Sequence, residues 1–275
     1  MPQRCLLCGA DDWTVLHELD ADFVDSLVFR GHRVPYTVAR CRCGFVQVLQ
    51  DVTDELLTEL YSAEYYEGRD GDGFVDYAGQ ERKYRARFGR RLARLERGMR
   101  PGRALDVGCA LGWFLAEAAE RGWDAEGVEM SEHCREFVAE RFGLPVHVGR
   151  VEDLELEGGY DLVTLWDTIE HVRDPRALVR VCRGLLAPGG RLAITTGNVR
   201  SWRSRLQGRG WALLRPPKHL TYFTPRTLRT LLEQEGVAVV DGWQELPERL
   251  PLPVKFAATR ASANAADVFG VVATR

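Results

Sequence analysis

The sequence predicts an α/β fold: a seven-stranded, mostly parallel sheet with a small N-terminal module ahead of it. Three observations carry this expectation. From Arg103 onward, short apolar runs alternate with stretches of helical apolar spacing, the pattern of strand–helix–strand units. The first of these runs ends in an acid and two glycines, Asp106-Val107-Gly108-Cys109-Ala110-Leu111-Gly112, and then opens into a helix. Ahead of it, four cysteines fall in two pairs, Cys5/Cys8 and Cys41/Cys43, each closed by a glycine.

Size and composition bound the alternatives. The chain has 275 residues, 45% of them hydrophobic, enough for one large packed domain and an appendage. The expected division is a module over 1–50, a helical linker or lid over 51–100 and the main domain over 101–275. A net charge of −3 argues against nucleic acid as a partner. The densest basic stretch, Arg82 to Arg103, reads as a solvated helix face. No apolar run approaches the ~18 residues that span a membrane, and Met-Pro-Gln-Arg-Cys carries no signal-peptide core. Seven cysteines, an odd number, do not form a secreted disulfide framework. A cytoplasmic protein with no membrane partner is expected, its oligomeric state left open.

The elements follow in order. Cys5-Leu-Leu-Cys8-Gly and Cys41-Arg-Cys43-Gly read as two knuckles of a zinc site, Cys5, Cys8, Cys41 and Cys43 being the ligands. Such an ion helps fold a segment too short to build its own core. Between Leu56 and Tyr77, four tyrosines (Tyr61, Tyr65, Tyr66, Tyr77) sit among acids and glycines, either as a lid or as a linker packed on the main domain. Arg103 to Val107 is the first strand of the main sheet. The turn after it suits a nucleotide phosphate or the charged end of a nucleoside cofactor, because glycine lets backbone approach a ligand and a helix N-terminus offers N–H groups. Asp106 would oppose a phosphate and suits a cationic ligand. Ala110 stands between the glycines and fits if its φ is negative. The next strand, from Asp124, ends at Glu129, an acid placed to bind ribose hydroxyls, with Met130 following.

Ser131 caps the next helix, closed by Gly143, and Val146 to Val148 is a short third strand. Gly149-Arg150-Val151-Glu152-Asp153 turns away from it. Tyr160 to Trp166 is a buried fourth strand. Asp174-Pro175 starts a helix that Pro188-Gly-Gly190 stops, Arg191 to Thr196 is the fifth strand, and Thr224-Pro225 starts a helix ended by Gly236. Val237 to Val240 and Val268 to Ala273 complete the sheet, the final strand antiparallel.

Ligands of open α/β sheets sit beyond the carboxyl ends of the strands. One helical turn over Asp167-Thr-Ile-Glu170-His171 would put Asp167, Glu170 and His171 on one face, fit either to hold a divalent ion such as Mg²⁺ or to orient His171. The proline-rich loop after Trp211 presents His219 and Tyr222, and Gly197-Asn198 follows the fifth strand.

The spacing D-x-G-x-(G/A)-x-G resembles motif I of class I S-adenosylmethionine (SAM) methyltransferases. That resemblance implies a Rossmann-like fold and SAM as cofactor. It places Asp106, Gly108, Cys109, Ala110 and Gly112 at the methionine end and Glu129 at the ribose, with Met130 next to it among the cofactor-binding residues. Val151 and Glu152 fall where relatives grip the adenine, and Trp166 ends the fourth strand beside them. Asp167-x-x-Glu170-His171 is similar to the metal-binding stretch of ubiquinone-biosynthesis O-methyltransferases. His219-x-x-x-Phe223-Thr224 is similar to a stretch common among small-molecule methyltransferases. The cysteine segment resembles the zinc-ribbon-like module that precedes some bacterial methyltransferases, sugar C-methyltransferases among them.

Together these imply methyl transfer from SAM to a small-molecule acceptor, at a hydroxyl, in a sugar or secondary-metabolite pathway. His171 or His219 would remove the proton, with Asp167, Glu170 and Tyr222 around them. C-methylation of a nucleotide-linked sugar, N-methylation and a non-catalytic SAM-binding protein are the alternatives. A base N-methyltransferase would carry N/D-P-P-Y where this chain has Asp167-Thr-Ile-Glu170.

Overall fold

A computed structural model describes residues 3–20, 35–53, 56–57, 78–245 and 264–275. The stretch with Tyr61, Tyr65, Tyr66 and Tyr77 lies outside the described residues. Seven strands form one sheet in the order β10-β11-β8-β7-β4-β5-β6. These are β4 (Arg103–Val107), β5 (Asp124–Glu129), β6 (Val146–Val148), β7 (Tyr160–Trp166), β8 (Leu186–Gly197), β10 (Ala238–Glu245) and β11 (Val268–Thr274). A second, four-stranded sheet joins β1 (Trp13–Asp20), β2 (Pro35–Cys41), β3 (Val46–Val48) and β9 (Thr221–Tyr222) in the order β1-β2-β3-β9. The chain divides into two compact units, one of Met1–Val52, Asp167–Arg180 and Ala193–Thr274, the other of Thr53–Trp166 and Val181–Leu192.

In the second unit β4 lies parallel between β5 and β7, with Asp106 level with Gly127 on one side and Thr164 on the other. Burial of Ala104 to Val107 explains why this strand reads as a continuous apolar run. Helices α1 (Glu81–Leu95), α2 (Trp113–Glu120) and α3 (Glu132–Phe142) complete the unit. As expected, the Ser131 side chain caps α3, accepting from the Cys134 amide, and Gly143 ends the helix at φ 65°. One expectation is corrected. Pro188-Gly-Gly190 does not stop a helix but lies within β8, because α4 (Pro175–Leu185) has already ended. Gly190 passes so close to β7 that a Cβ there would sit 2.6 Å from the Tyr160 carbonyl oxygen.

In the first unit all three pairings of the small sheet are antiparallel. Its fourth strand comes from far along the chain: Val46 pairs with Tyr222 and Gln47 with Thr221. Behind this junction Phe45 meets Phe223 edge to face, ring centres 5.3 Å apart. The Asp174 carboxylate caps α4 by accepting the Arg176 and Ala177 amides at 3.0 Å. A reciprocal Thr224–Thr227 capping box starts α6 (Pro225–Gln234), while the short α5 (Trp202–Gln207) is capped by Ser201. Strand β10 starts one residue later than the sequence suggests and continues to Glu245, antiparallel to β11. Among the described residues no helix is long and apolar enough to cross a membrane.

Candidate active site

The turn after β4 is a built feature. Asp106 is only 2% exposed and accepts a hydrogen bond of 2.6 Å from the Thr164 hydroxyl. Burial pushes its carboxyl up to about 7, with the Glu129 charge adding to the rise and Thr164 and the Arg91 charge opposing it. Gly108 and Gly112 take φ of 79° and 72°. At Gly112 a Cβ would also sit 2.6 Å from a Val138 methyl, so both conformation and space demand glycine.

Two expectations about this turn are corrected. Ala110 does not keep a negative φ; it lies at 48°, a left-handed conformation that costs an L-residue roughly 1–2 kcal/mol. Nor are the amides of Gly108, Cys109, Ala110 and Gly112 free for a ligand. Gly108 and Cys109 donate to the Val128 carbonyl at 2.8 and 3.2 Å, Gly112 donates to the Cys109 carbonyl, and Ala110 donates to Glu129 Oε2 at 2.9 Å. Glu129 also accepts the Met130 and Ser131 amides at 2.8 and 3.1 Å. These four N–H groups therefore do not form an anion-binding set.

The other predicted cofactor residues fall in the same unit. Met130, directly after β5, is 38% exposed, an apolar side chain open at a strand end. Val151 is buried in a short 3₁₀ turn, and Glu152 lies 3.8 Å from Arg150. Cys109 is buried, its thiol held well above the usual range by burial and by the nearby Glu129 and Asp106 charges. It fits because β5 has Gly127 there, where a Cβ would approach its sulfur to 2.5 Å. Trp166 packs on Phe114 and Phe88, with ring centres 5.5 and 6.3 Å away.

Sequence reasoning missed Arg91. It is 3% exposed and lays its guanidinium 4.9 Å from the Trp166 ring, so it is not part of a solvated face. The signal was its position beside the buried Phe88, Leu92 and Leu95 of α1, on the apolar side of the helix rather than opposite it.

In the first unit, the segment after β7 does not make the expected helical turn. Asp167 takes φ 56°, its amide donates to the Thr195 carbonyl, and its carboxylate accepts from the Thr195 hydroxyl at 3.0 Å. The helical turn is absent, but Asp167 stays near enough for its charge to act on Glu170 and His171, and a further grouping brings in His219. Ligand-type atoms of Glu170, His171 and His219 lie within 4.8 Å of one another, and the imidazoles meet edge to face at 4.6 Å. His171 Nδ1–H donates to the Lys218 carbonyl at 2.8 Å and His219 Nδ1–H to the Leu213 carbonyl at 2.8 Å. Burial lowers both imidazoles, His219 most strongly with the His171, Arg215 and Lys218 charges adding to it, so both are neutral at pH 7. Glu170 accepts from the Thr196 hydroxyl at 2.9 Å; burial and the Asp167 charge push it up to about 8. Burial raises the Tyr222 phenol, which stays protonated. One carboxyl and two imidazoles do not make the oxygen-rich set that Mg²⁺ selects.

The four N-terminal cysteines converge. Cys5 and Cys43 sulfurs are 3.7 Å apart, Cys8 and Cys41 sulfurs 3.5 Å, and all four lie within 4.8 Å. Four thiolates around a tetrahedral zinc, each at ~2.3 Å, stand roughly 3.8 Å apart, so the set fits that ion. Burial holds the Cys43 thiol up to about 11 and raises Cys5 further.

Known proteins match this architecture. A family model described as a methyltransferase domain matches residues 77–241. The chain is 40% identical over 105 residues to a ubiquinone biosynthesis O-methyltransferase of Bordetella avium, covering 35% of this chain and 43% of the relative. It is 31% identical over 151 residues to that of Cereibacter sphaeroides, covering 50% and 61%. The chain thus spans less than two thirds of the length of these relatives. Among solved structures, magnesium protoporphyrin IX methyltransferase of Synechocystis, with bound S-adenosylhomocysteine, aligns at TM-score 0.58 and 14% identity over 81% of this chain and all of the other. The CcbJ methyltransferase of Streptomyces caelestis aligns at 0.52 and 19%, over 71% and 89%. At such identities these two establish the fold alone. With the family model matching more than half of its 275 residues, the chain belongs to the methyltransferase-domain family.

Proposed function

We propose that the protein transfers the methyl group of SAM to a hydroxyl of a small-molecule acceptor. The observation that carries this reading is the pair of neutral imidazoles, His171 and His219, packed against each other beside Glu170. A hydroxyl must lose its proton as it attacks, and a neutral imidazole can take it. SAM brings a methyl already activated on a sulfonium, so the chain's own work is alignment and proton removal.

His219 is the base in this reading. Its Nδ1–H is committed to the Leu213 carbonyl, which leaves Nε2 as the proton acceptor. His171, held by the Lys218 carbonyl, fixes the His219 ring edge to face. Protonated Tyr222 and Glu170 complete the surround, and Asp167 braces the segment through Thr195.

The SAM-binding residues are Asp106, Gly108, Cys109, Ala110, Gly112, Glu129, Met130, Val151, Glu152 and Trp166. Arg91 joins them as the cation for the methionine carboxylate, with Asp106 for the ammonium and sulfonium side. Glu129 accepts ribose hydroxyls, and Met130 underlies the adenine. Cys5, Cys8, Cys41 and Cys43 hold a structural zinc, a role that suits a reducing compartment such as the cytoplasm. The names of the relatives favour oxygen as the attacked atom; a sugar or secondary metabolite as the acceptor class is our own extension of that reading. The cysteine cluster supports one second reading, C-methylation of a nucleotide-linked sugar.

Incubating the protein with SAM and panels of catechols, phenols and glycosides, with S-adenosylhomocysteine release as the readout, tests this. Turnover confined to hydroxyl acceptors, with O-methyl carbons in the product NMR, is expected. SAM binding without turnover on any hydroxyl compound overturns it.

A further inference from the structure

The cysteine cluster touches both segments that carry the histidines. On one side, Gln47 is fully buried in β3. Its side-chain oxygen accepts the Leu6 amide at 3.0 Å and its NH₂ donates to the Arg4 carbonyl at 3.3 Å, gripping the Cys5–Cys8 knuckle from both ends of Cys5. The backbone of the same residue is level with Thr221 of β9, and the neighbouring Val48 amide donates to the Leu220 carbonyl at 2.9 Å. The amides of Leu220 and Thr221 in turn donate to the Glu170 carbonyl at 2.8 and 3.2 Å. His219 and His171 are the next residues along these two stretches.

On the other side, Arg176 reaches the knuckle. Its guanidinium donates to the Leu7 carbonyl at 3.2 Å, to Gln234 at 3.1 Å and to Glu235 at 2.7 Å. Arg176 sits in the first turn of α4, five residues after His171. One path of hydrogen bonds thus leads from Leu6 through Gln47 to the residues flanking both histidines, and Arg176 ties Leu7 to the helix that follows His171 in the chain.

We propose that the four-cysteine zinc centre clamps the acceptor side of the enzyme, with Gln47 and Arg176 as positioning residues that transmit its order to His219 and His171. This rests on the reading that these histidines serve the acceptor. Both residues bind the backbone of the knuckle loop, so they sense whether that loop is folded around an ion. A flexible knuckle would leave Gln47 with a buried, unsatisfied amide and loosen β3 against β9.

The test uses the full chain, first loaded with one Zn²⁺ and then stripped with a chelator, both forms saturated with S-adenosylhomocysteine. Hydrogen exchange is read on peptides spanning residues 217–223 and 105–112. Stripping is expected to speed exchange of the Leu220 and Thr221 amides about tenfold or more, leaving 105–112 and the affinity for S-adenosylhomocysteine unchanged. In Gln47→Leu, loaded with zinc, the 217–223 peptide should exchange as fast as in the stripped wild type, and kcat should fall more than the KM for SAM rises. Unchanged exchange at Leu220 and Thr221 on stripping, while peptides over 4–9 and 40–45 lose protection, overturns the clamp. So does absence of a thiolate charge-transfer band with Co²⁺, which would show that the cysteines bind no ion. Should Gln47→Leu fail to fold, the stripping experiment on the wild type still decides. Exchange and metal readouts need no acceptor, so they stand apart from failure of the O-methylation reading.

Discussion

The Glu129 carboxylate accepts the Ala110 amide at 2.9 Å, so the acid at the end of β5 braces the turn at the end of β4. Replacing it releases the turn and, in the proposed SAM site, also removes the acceptor for the ribose. Glu129→Ala is expected to weaken S-adenosylhomocysteine binding at least tenfold by calorimetry, since hydrogen bonds to charged groups are worth about 1.5–3 kcal/mol. Glu129→Gln, which keeps one oxygen acceptor, should lose less. Wild-type affinity in Glu129→Ala would remove this acid from the site.

Ala110 takes its left-handed φ of 48° because the turn over-determines it. Ala110→Gly should relieve that strain and stabilise the protein by about 1 kcal/mol. A melting temperature higher by roughly 2–4 °C in a thermal scan is the expected reading. A lower value would mean that the extra freedom of glycine in the unfolded chain outweighs the relief.

The buried acids set a pH slope. Asp106 at about 7 and Glu170 at about 8 bind a proton more tightly in the folded protein than the unfolded carboxyl does. Between roughly pH 4 and 8 these two carboxyls therefore hold more protons in the folded state, and their contribution to stability falls as pH rises. Each group contributes a slope of up to about 1.4 kcal/mol per pH unit in its own window. The lowered imidazoles of His171 and His219 act in the opposite sense below about pH 6.5. Denaturant titrations of the ligand-free protein from about pH 6.5 to 8 should therefore show the decline, and Asp106→Asn and Glu170→Gln should each flatten it. A flat wild-type profile is the contrary result.

Both imidazoles titrate below their usual 6.5. Turnover should be level above pH 6.5 with respect to these groups and fall only on a more acidic limb. His219→Ala should lose about 10²–10⁴-fold in kcat, the range of a general base, with the affinity for SAM intact. His171→Ala should lose less. A larger loss in His171→Ala than in His219→Ala would exchange the roles of the two residues.

The donor set of Glu170, His171 and His219 is poor in oxygen. Adding or omitting Mg²⁺ should leave turnover unchanged, measured on protein desalted without chelator so that thiolate-bound metal is retained. Saturable activation by Mg²⁺ would contradict this.

Much of the fold was legible because it is local. β4, β5 and β7 announce themselves as short apolar runs, and Ser131 and Thr224 are caps readable from one or two neighbours. Features set by distant pairing were not. β9 is two residues long, and only the partnership of Val46 with Tyr222 makes it a strand. The i, i+3, i+4 spacing of Asp167, Glu170 and His171 is compatible with a helical turn. Thr195 offers the Asp167 backbone and carboxylate better partners across the sheet, and the helix does not form. The sign of φ at Ala110 leaves no trace in the sequence, because alanine itself favours the other sign. Arg91 shows the limit of charge counting: six arginines on one helix look like a wet face until their positions are set against Phe88, Leu92 and Leu95.

The late origin of β9 constrains how such a protein can be rebuilt. The N-terminal sheet is not a detachable cassette, since its last strand is encoded more than 170 residues downstream of Val48. A chimera that exchanges only residues 1–53 with those of a relative would mate foreign β2 and β3 strands with a resident Thr221–Tyr222. Recombination that preserves the pairing has to move both segments together. The residues flanking His219 and the cysteine knuckles therefore form one heritable unit despite their separation along the gene.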